Sequence, residues 1–393
     1  LKSNSTAVVI VIVSDFTMCS CTSHADGIVI ANVAVMFNVS PFASLAEVDR
    51  MLSAWGVEAS AYEQARGGVE NTCLIVDTST NQRHPRRVVL RIHRPDTSER
   101  VGLELAALQH LAGRDLPVPG PLPTIDGAML ADQQGSPVSL LAYVDGLSLD
   151  RCASPPAFAR NIGVLLARVD LALSQFPGGR DAIAHDITDL ASARDRLATC
   201  RKVAGFPWQR VEDALEDAAR AVAAWPALPR QVIHGDVSRA NIVYDDRVGE
   251  RGLRPREPFA GGAGPSQGPA LDRRFGLIDF GDAGAAPRIA DVAIALAQLA
   301  IAGGRLRPEI WSGLWAGWAA IANPSDAERA AVLPLVKLRY AKLIVDHVWR
   351  ELSGRHHPGH LALVALGIEG LHALASAPAT MLSLDAGSMR GAA

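Results

Sequence analysis

The sequence predicts an α+β chain of two lobes: a small lobe of β-sheet with a helix, then a large, mainly helical lobe. Three observations carry that expectation. Apolar and β-branched runs broken by polar turns are concentrated before about residue 147, whereas most of the chain beyond that point has helical periodicity. Two short apolar runs inside the helical part, in "QVIHGDVSRANIVYDD" (231–246) and "RRFGLIDFGDAG" (273–284), each end in acidic residues. Between them lies a Gly-, Pro- and Arg-rich stretch without a period, 248–272, expected to be a flexible insertion joining two strands of a hairpin.

Taken in order, residues 1–35 are expected to be a leader, disordered or not part of the native protein, with Met36 as the start. The apolar "AVVIVIV" (7–13) behind Lys2 is too short to span a bilayer, an edge strand is its structural alternative, and no later run reads as long and charge-free enough. "ASLAEVDRMLSAWGV" (43–57) sets Leu45, Val48, Met51, Leu52 and Trp55 at helical spacing. "RGGVENTCLIVDT" (66–78) is a glycine turn entering a strand, and "RRVVLRIHRP" (86–95) is its hairpin partner across polar "STNQRHP". "ERVGLELAALQHLAG" (99–113) is a helix closed by Gly113. Proline keeps "LPVPGPLPT" (116–124) extended, and "AMLADQQGSPVSLLAYVDG" (128–146) is a second hairpin.

The first lobe, 36–146, therefore reads β, β, α, β, β: a sheet with one helix laid on it, hinged near 142–148 to a second lobe, 147–393. There, helices at 156–173, 193–205 and 210–225 precede the two motif strands, and helices at 289–303, 308–322 and 328–352 come after them. The chain's 393 residues suffice for both cores. Hydrophobic residues at 49% and charged residues at 20% are an ordinary globular balance, and a net charge of −3 gives no field for a nucleic acid. Neither nucleic acid nor membrane is expected as a partner, and oligomeric state is left open. Cys19, Cys21, Cys73, Cys152 and Cys200 have neither zinc nor disulfide spacing, so the expected location is the cytoplasm.

The chemistry lies in the two motifs. A carboxylate at Asp236 can accept the proton of an attacking hydroxyl, and the Asn241 amide oxygen five residues on can reach a metal beside it. Asp279 offers a second hard oxygen for Mg²⁺. Phosphoryl transfer asks for this combination, although each Asp taken singly serves equally well as a turn or cap residue.

"HGDVSRAN" followed by "IDFGD" resembles the aminoglycoside phosphotransferase and choline kinase-like superfamily, which has a protein-kinase-like fold. "LIDFGDAGAAPRIADVAIALAQ" is most similar in style to its hydroxylysine kinase and homoserine kinase-like branches. "VVLRIHRP", "LELAALQHL" and "LPVPGPLPTIDG" resemble small-lobe sequences of the same group. The resemblance implies Asp236 as catalytic base, Asn241 and Asp279 as Mg²⁺ ligands, and His234 as a brace for the catalytic loop. It implies that Asp291 hydrogen-bonds that loop from behind, with a plain helix cap as the alternative.

For the nucleotide the resemblance implies Gly67, Gly68 and Asn71 over the phosphates, Arg91 ion-paired to Glu104, and the backbone at Ala142 and Val144 against the purine. Two positions depart from the pattern: Arg91 stands where lysine is usual, and Asp170 where similar chains commonly carry histidine. Asp282 is assigned to substrate, a second metal or a turn, and Arg288 is a candidate for a substrate carboxylate.

The expected function is a kinase that transfers the γ-phosphoryl of ATP or GTP, with Mg²⁺, to a small molecule's hydroxyl. An amino alcohol or hydroxyamino acid such as hydroxylysine or homoserine is favoured. Alternatives are an aminoglycoside phosphotransferase, a protein Ser/Thr kinase, and a non-catalytic nucleotide-binding pseudokinase.

Overall fold

The computed structural model describes residues 12–13, 29–30, 44–65, 71–79, 84–94, 98–133, 135–152, 156–179, 189–222, 228–249 and 271–384. Of the expected leader this includes β1 (Ile12–Val13) and β2 (Val29–Ile30), which pair antiparallel with each other. α1 (Leu45–Leu52) starts at a capping box. The Ser44 hydroxyl accepts the Glu47 N–H, and the Glu47 carboxylate accepts the Ser44 N–H at 2.6 Å. A 3-10 turn, Ser53–Trp55, then drives Trp55 into the core, where its indole N–H donates to the Leu122 carbonyl at 2.8 Å.

The small-lobe sheet comprises β3 (Ala59–Gln64), β4 (Thr72–Thr78) and β5 (Arg87–Ile92). After α2 (Ser98–Ala112) come β6 (Pro121–Leu122), β7 (Ala131–Gln133) and β8 (Ser136–Ala142). The strand order is β3-β4-β5-β8-β6, with β7 also on β8, and every pairing is antiparallel. β3 and β6 go beyond the expected hairpins. β3 is an edge strand whose "ASAYEQ" is largely exposed, so it lacks the apolar alternation that marks a strand in sequence.

Alternation along β5 splits its side chains. Val88 and Leu90 join Val48, Leu52, Trp55, Leu74, Val76, Val138 and Leu140 in the small core beneath α1, while Val89 packs against the large core. α2 also belongs there: Val101, Leu105, Leu108 and Leu111 are buried with the helices of the second lobe. The expectation of one helix laid on the small sheet is thus extended to two, α2 meeting one face at Arg91–Glu104 and α1 the other. α1 covers the sheet, and α2, apolar around much of its circumference, is rooted in the larger core.

The second lobe contains β9 (Leu147–Ser148), α3 (Phe158–Leu173), α4 (Leu190–Cys200), α5 (Trp208–Val222), β10 (Arg230–Ile233), β11 (Ile242–Tyr244), β12 (Phe275–Leu277) and β13 (Gly284–Pro287). Next come α6 (Ile289–Leu299), β14 (Ile301–Ala302), β15 (Arg305–Leu306), α7 (Pro308–Ala322), α8 (Asp326–Leu352) and α9 (Pro358–Ser376). The helix expected to reach 303 stops at Leu299, because Gly303 and Gly304, both at positive φ, turn β14 back onto β15.

α9 was not anticipated. By length and composition its Gly359–Ser376 stretch is apolar enough to cross a membrane, which corrects the reading that no later run is. In the fold it lies along α8, with Gly367 and Gly370 allowing close approach to Ile344 and Tyr340. α3 and α7 cross as closely: a Cβ on Gly163 would strike the Leu314 carbonyl, and one on Gly317 the Arg160 carbonyl.

Two antiparallel pairs position the motifs. β10 pairs with β13 and β11 with β12, so the loop after Ile233 and the loop after Leu277 lie side by side. Tyr244 and Phe275 face each other in the second pair, which makes it a hairpin; the intervening 250–270 lie outside the described residues.

Candidate active site

The loop between β10 and β11 is built by its own hydrogen bonds. Gly235 sits at φ +84, where a Cβ would collide with the Asp282 carbonyl, so only glycine fits this bend. The His234 Nδ1 accepts the Asp236 N–H at 3.1 Å, and its Nε2 lies 3.0 Å from the Ile278 carbonyl. That pairing requires the neutral tautomer protonated on Nε2. The ring is fully buried, edge-on to Phe280, and ties the two motif loops together.

Asp236 and Asn241 meet at the mouth of this loop. The Asn241 amide nitrogen donates to the Asp236 carbonyl at 2.9 Å and to its Oδ2 at 3.0 Å. The other carboxylate oxygen of Asp236, Oδ1, accepts from Arg339 Nη2 at 2.6 Å. Burial pushes the Asp236 carboxyl above the usual carboxylate range, and Arg339 pulls it back. With its nitrogen occupied, Asn241 has its amide oxygen for a cation.

Asp279 is brought to the same place by the β11–β12 ladder. The Asn241 carbonyl accepts the Ile278 N–H at 2.9 Å, so the two candidate metal ligands flank one end of the strand pair. Asp279 has φ +62, an uncommon backbone state for a residue with a side chain. Its side chain is 53% exposed, and Oδ1 accepts from Arg91 Nη2 at 2.9 Å. An amide oxygen plus one carboxylate fits a hard divalent cation that keeps waters and phosphate oxygens as its other ligands. It does not form a closed protein cage: among the described residues no cluster of three His, Cys, Asp or Glu is spaced to hold a metal.

Arg91, on the Val89 face of β5, is the hub of the opposite wall. Its Nη1 donates to Glu104 Oε1 at 2.5 Å while Nη2 reaches Asp279. With the Asn71 amide oriented so that oxygen faces the guanidinium, Asn71 accepts from Nη2 at 2.7 Å and Nε at 3.2 Å. Burial works against the Arg91 charge, but Glu104 and Asp279 more than compensate and hold it firmly protonated. Burial pushes the Glu104 carboxyl up to about 7 against the pull of Arg91.

The remaining expected positions divide. Gly67 and Gly68 lie outside the described residues, in the connection from β3 to β4. The Ala142 N–H is already bound to the Gly120 carbonyl at 2.8 Å, which leaves Val144, just beyond β8, as the freer of the two hinge positions. Asp282 Oδ1 accepts from Arg100 of α2 at 3.2 Å, and the same nitrogen donates to the Gly281 carbonyl at 2.8 Å. Asp291 accepts the His234 and Gly235 N–H groups at 2.7 and 2.8 Å, from inside the first turn of α6; Arg288 occupies the cap position.

Arg288 itself is turned away from the cleft. Its Nε and Nη2 bind the buried Glu328 at 2.7 and 3.0 Å, so it is not available to a substrate carboxylate. The basic residue at the candidate base is instead Arg339, 103 positions downstream on α8, which sequence reasoning missed. Nothing around "KLRYAKL" distinguishes it from the other cations of an amphipathic helix. Asp170, on α3, lies behind the loop with its Oδ2 accepting the Trp318 indole N–H at 2.7 Å.

A small antiparallel sheet over a helical lobe, with the Asp236 loop and the Asp279 loop meeting beneath it, is a protein-kinase-like fold. Solved structures agree on the fold. An amicoumacin kinase in complex with AMP-PNP, Ca²⁺ and Ami superposes with TM-score 0.56 at 12% identity, covering 83% of this chain and 92% of that one. A microcompartment-associated aminopropanol kinase gives 0.55 at 17% identity, covering 84% and 95%.

Residues 61–253 match the model of the phosphotransferase enzyme family. The homoserine kinase of Methylobacillus flagellatus is 32% identical over 186 residues, 46% of this chain and 54% of that protein. That of Burkholderia multivorans is 26% identical over 237 residues, 60% and 63%. The chain spans about half the length of the first of these curated relatives.

Proposed function

We propose that this chain is a nucleotide-dependent small-molecule kinase that transfers the γ-phosphoryl group of ATP or GTP to the hydroxyl of an amino alcohol or hydroxyamino acid. One observation carries the reading: the Asp236 carboxylate is held between the Asn241 amide and the Arg339 guanidinium, beside the Asp279 loop. A carboxylate fixed on both oxygens is oriented, and its paired guanidinium opposes the upward push of burial, so in its ionised form it can position an acceptor hydroxyl and take its proton. Asn241 and Asp279 would hold Mg²⁺, which supplies charge neutralisation on the transferring phosphate. Arg91, braced by Glu104 and Asn71, presents a cation to the nucleotide phosphates as a fork rather than a point charge.

The acceptor class is argued from the charges around Asp236. Arg339 Nη1 has no partner among the described residues, and a carboxylate on the acceptor's chain would complete its fork. The curated homoserine kinases are named for such an acceptor, a hydroxylated amino acid.

The test is nucleotide turnover, with ATP and with GTP, over a panel of amino alcohols, hydroxyamino acids and aminoglycosides, using Asp236→Ala as control. Turnover with a hydroxyamino acid, abolished by Asp236→Ala while nucleotide still binds, supports the reading. Mg²⁺-dependent nucleotide binding without turnover on any acceptor would replace it with a non-catalytic nucleotide-binding role.

A further inference from the structure

Behind the base loop, two aspartates are buried side by side. Asp170 is 2% exposed and Asp291 is 0% exposed, and each carboxyl acts directly on the other. Two carboxylates cannot hydrogen-bond each other, since an ionised carboxylate is acceptor-only. The donors are shared unequally. Asp291 takes the His234 N–H on Oδ2 and the Gly235 N–H on Oδ1. Asp170 takes only the Trp318 indole N–H on Oδ2, and its Oδ1 is a buried atom with no donor offered to it. A buried oxygen without a donor is accounted for if it carries a proton itself.

We infer that Asp170 is a neutral carboxylic acid whose Oδ1 hydroxyl donates to the Asp291 carboxylate, and that this pair is a positioning device for the His234–Gly235–Asp236 loop. Asp291 is the ionised member, because its oxygens already face two backbone amides and gain the hydroxyl as a third donor. Asp170 fixes the rotamer of Asp291, and Asp291 fixes the bend that presents Asp236.

The surrounding groups support this distribution. Burial raises both carboxyls, and the charge of Asp291 carries Asp170 further, well above the usual range. Arg288 pulls the other way, but two of its nitrogens are engaged by Glu328. His234 of the base loop has both ring nitrogens engaged elsewhere and gives only its backbone N–H to Asp291. Gln231 of β10 donates to the Asp170 backbone carbonyl and leaves the carboxyl alone.

The proton also sets the sign of a pH effect. A carboxyl raised by folding binds its proton in the native state at pH values where the unfolded chain has released it, so it makes stability fall as pH rises through that window. Asp170→Asn keeps a donor toward Asp291 and an acceptor toward Trp318 but cannot ionise. Thermal melting of the full chain from about pH 4, near the unfolded Asp pKa, to mild alkali should therefore give curves for the wild type and Asp170→Asn that lie close at the acid end. They should diverge above it, with the Asn variant melting higher. Infrared difference spectra between the two at neutral pH should show the carbonyl band of a protonated carboxylic acid in the wild type only. Asp170→Ala, which removes donor and acceptor together, should melt lower at every pH.

Parallel melting curves for wild type and Asp170→Asn, an Asn variant as damaged as the Ala variant, or no protonated-acid band would each overturn the assignment. The role in positioning a catalytic loop rests on the kinase reading. The infrared and melting results do not, so failure of the proton assignment and failure of the kinase reading are separately visible. If the Ala variant does not fold, the Asn comparison still decides.

Discussion

Replacing Arg91 by methionine tests the wall opposite the base. Glu104 is 3% exposed and bound to Arg91 at 2.5 Å, so the variant leaves a buried carboxylate without its counterion. Breaking such a pair costs about 3–5 kcal/mol. The Asp279 arm adds little, under about 1 kcal/mol, because that carboxylate is half exposed. Protonation of Glu104 is the one relief available. Its carboxyl already stands at about 7 through burial, and loss of Arg91 removes the downward pull, so it rises further. The native variant then holds a proton that the unfolded chain has released, and stability falls as pH rises. The deficit of Arg91→Met should thus be smallest in mild acid and grow through neutrality.

Urea unfolding of wild type, Arg91→Met, Glu104→Gln and the double variant across pH measures this directly. The double variant should recover most of the loss at neutral pH, because a buried glutamine needs no counterion. The reasoning is refuted if the Arg91→Met deficit is the same at every pH. It is equally refuted if the two single losses simply add to within about 0.5 kcal/mol.

Arg339→Ala removes the charge opposing burial at Asp236, so the acid limb of the pH–rate profile should move to higher pH, with activity lost more in mild acid than in mild alkali. Asp279→Ala should abolish the Mg²⁺ dependence of nucleotide affinity, read by calorimetry with and without the metal, while the melting temperature changes little, given the half-exposed side chain. Gly163→Ala should destabilise the fold by about 3 kcal/mol or more. Its Cβ would meet the Leu314 carbonyl and lie 2.8 Å from the Trp318 amide, backbone atoms that cannot swing aside, and the loss is measured by denaturant unfolding.

Legibility in the sequence tracks local chain geometry. His234, Asp236 and Asn241 lie in one loop, and Asp279 comes just after a strand paired to that loop's exit, so their spacing carries the arrangement. The Arg91–Glu104 pairing was legible through the resemblance, and strand alternation placed Arg91 on the correct face. Arg339 was not legible, because its meeting with Asp236 depends on how α8 crosses the lobe and leaves no mark in its own helix. Asp170 was visible only as a departure, since the groups its carboxyl meets, Asp291 and Trp318, lie more than a hundred residues away. β3 escaped notice as an exposed edge strand, and α9 as an apolar tail whose partner is α8.

The placement of α2 bears on how the cleft can open. Both anionic partners of Arg91 are moored on the same side: Glu104 on a helix sunk in the larger core, Asp279 on a loop of that core. Any tilt of the small sheet must drag the guanidinium against those two anchors, so the arginine doubles as a tether that limits the sheet's travel. Lengthening or softening that tether would change how far the jaws swing before it changed how tightly they grip.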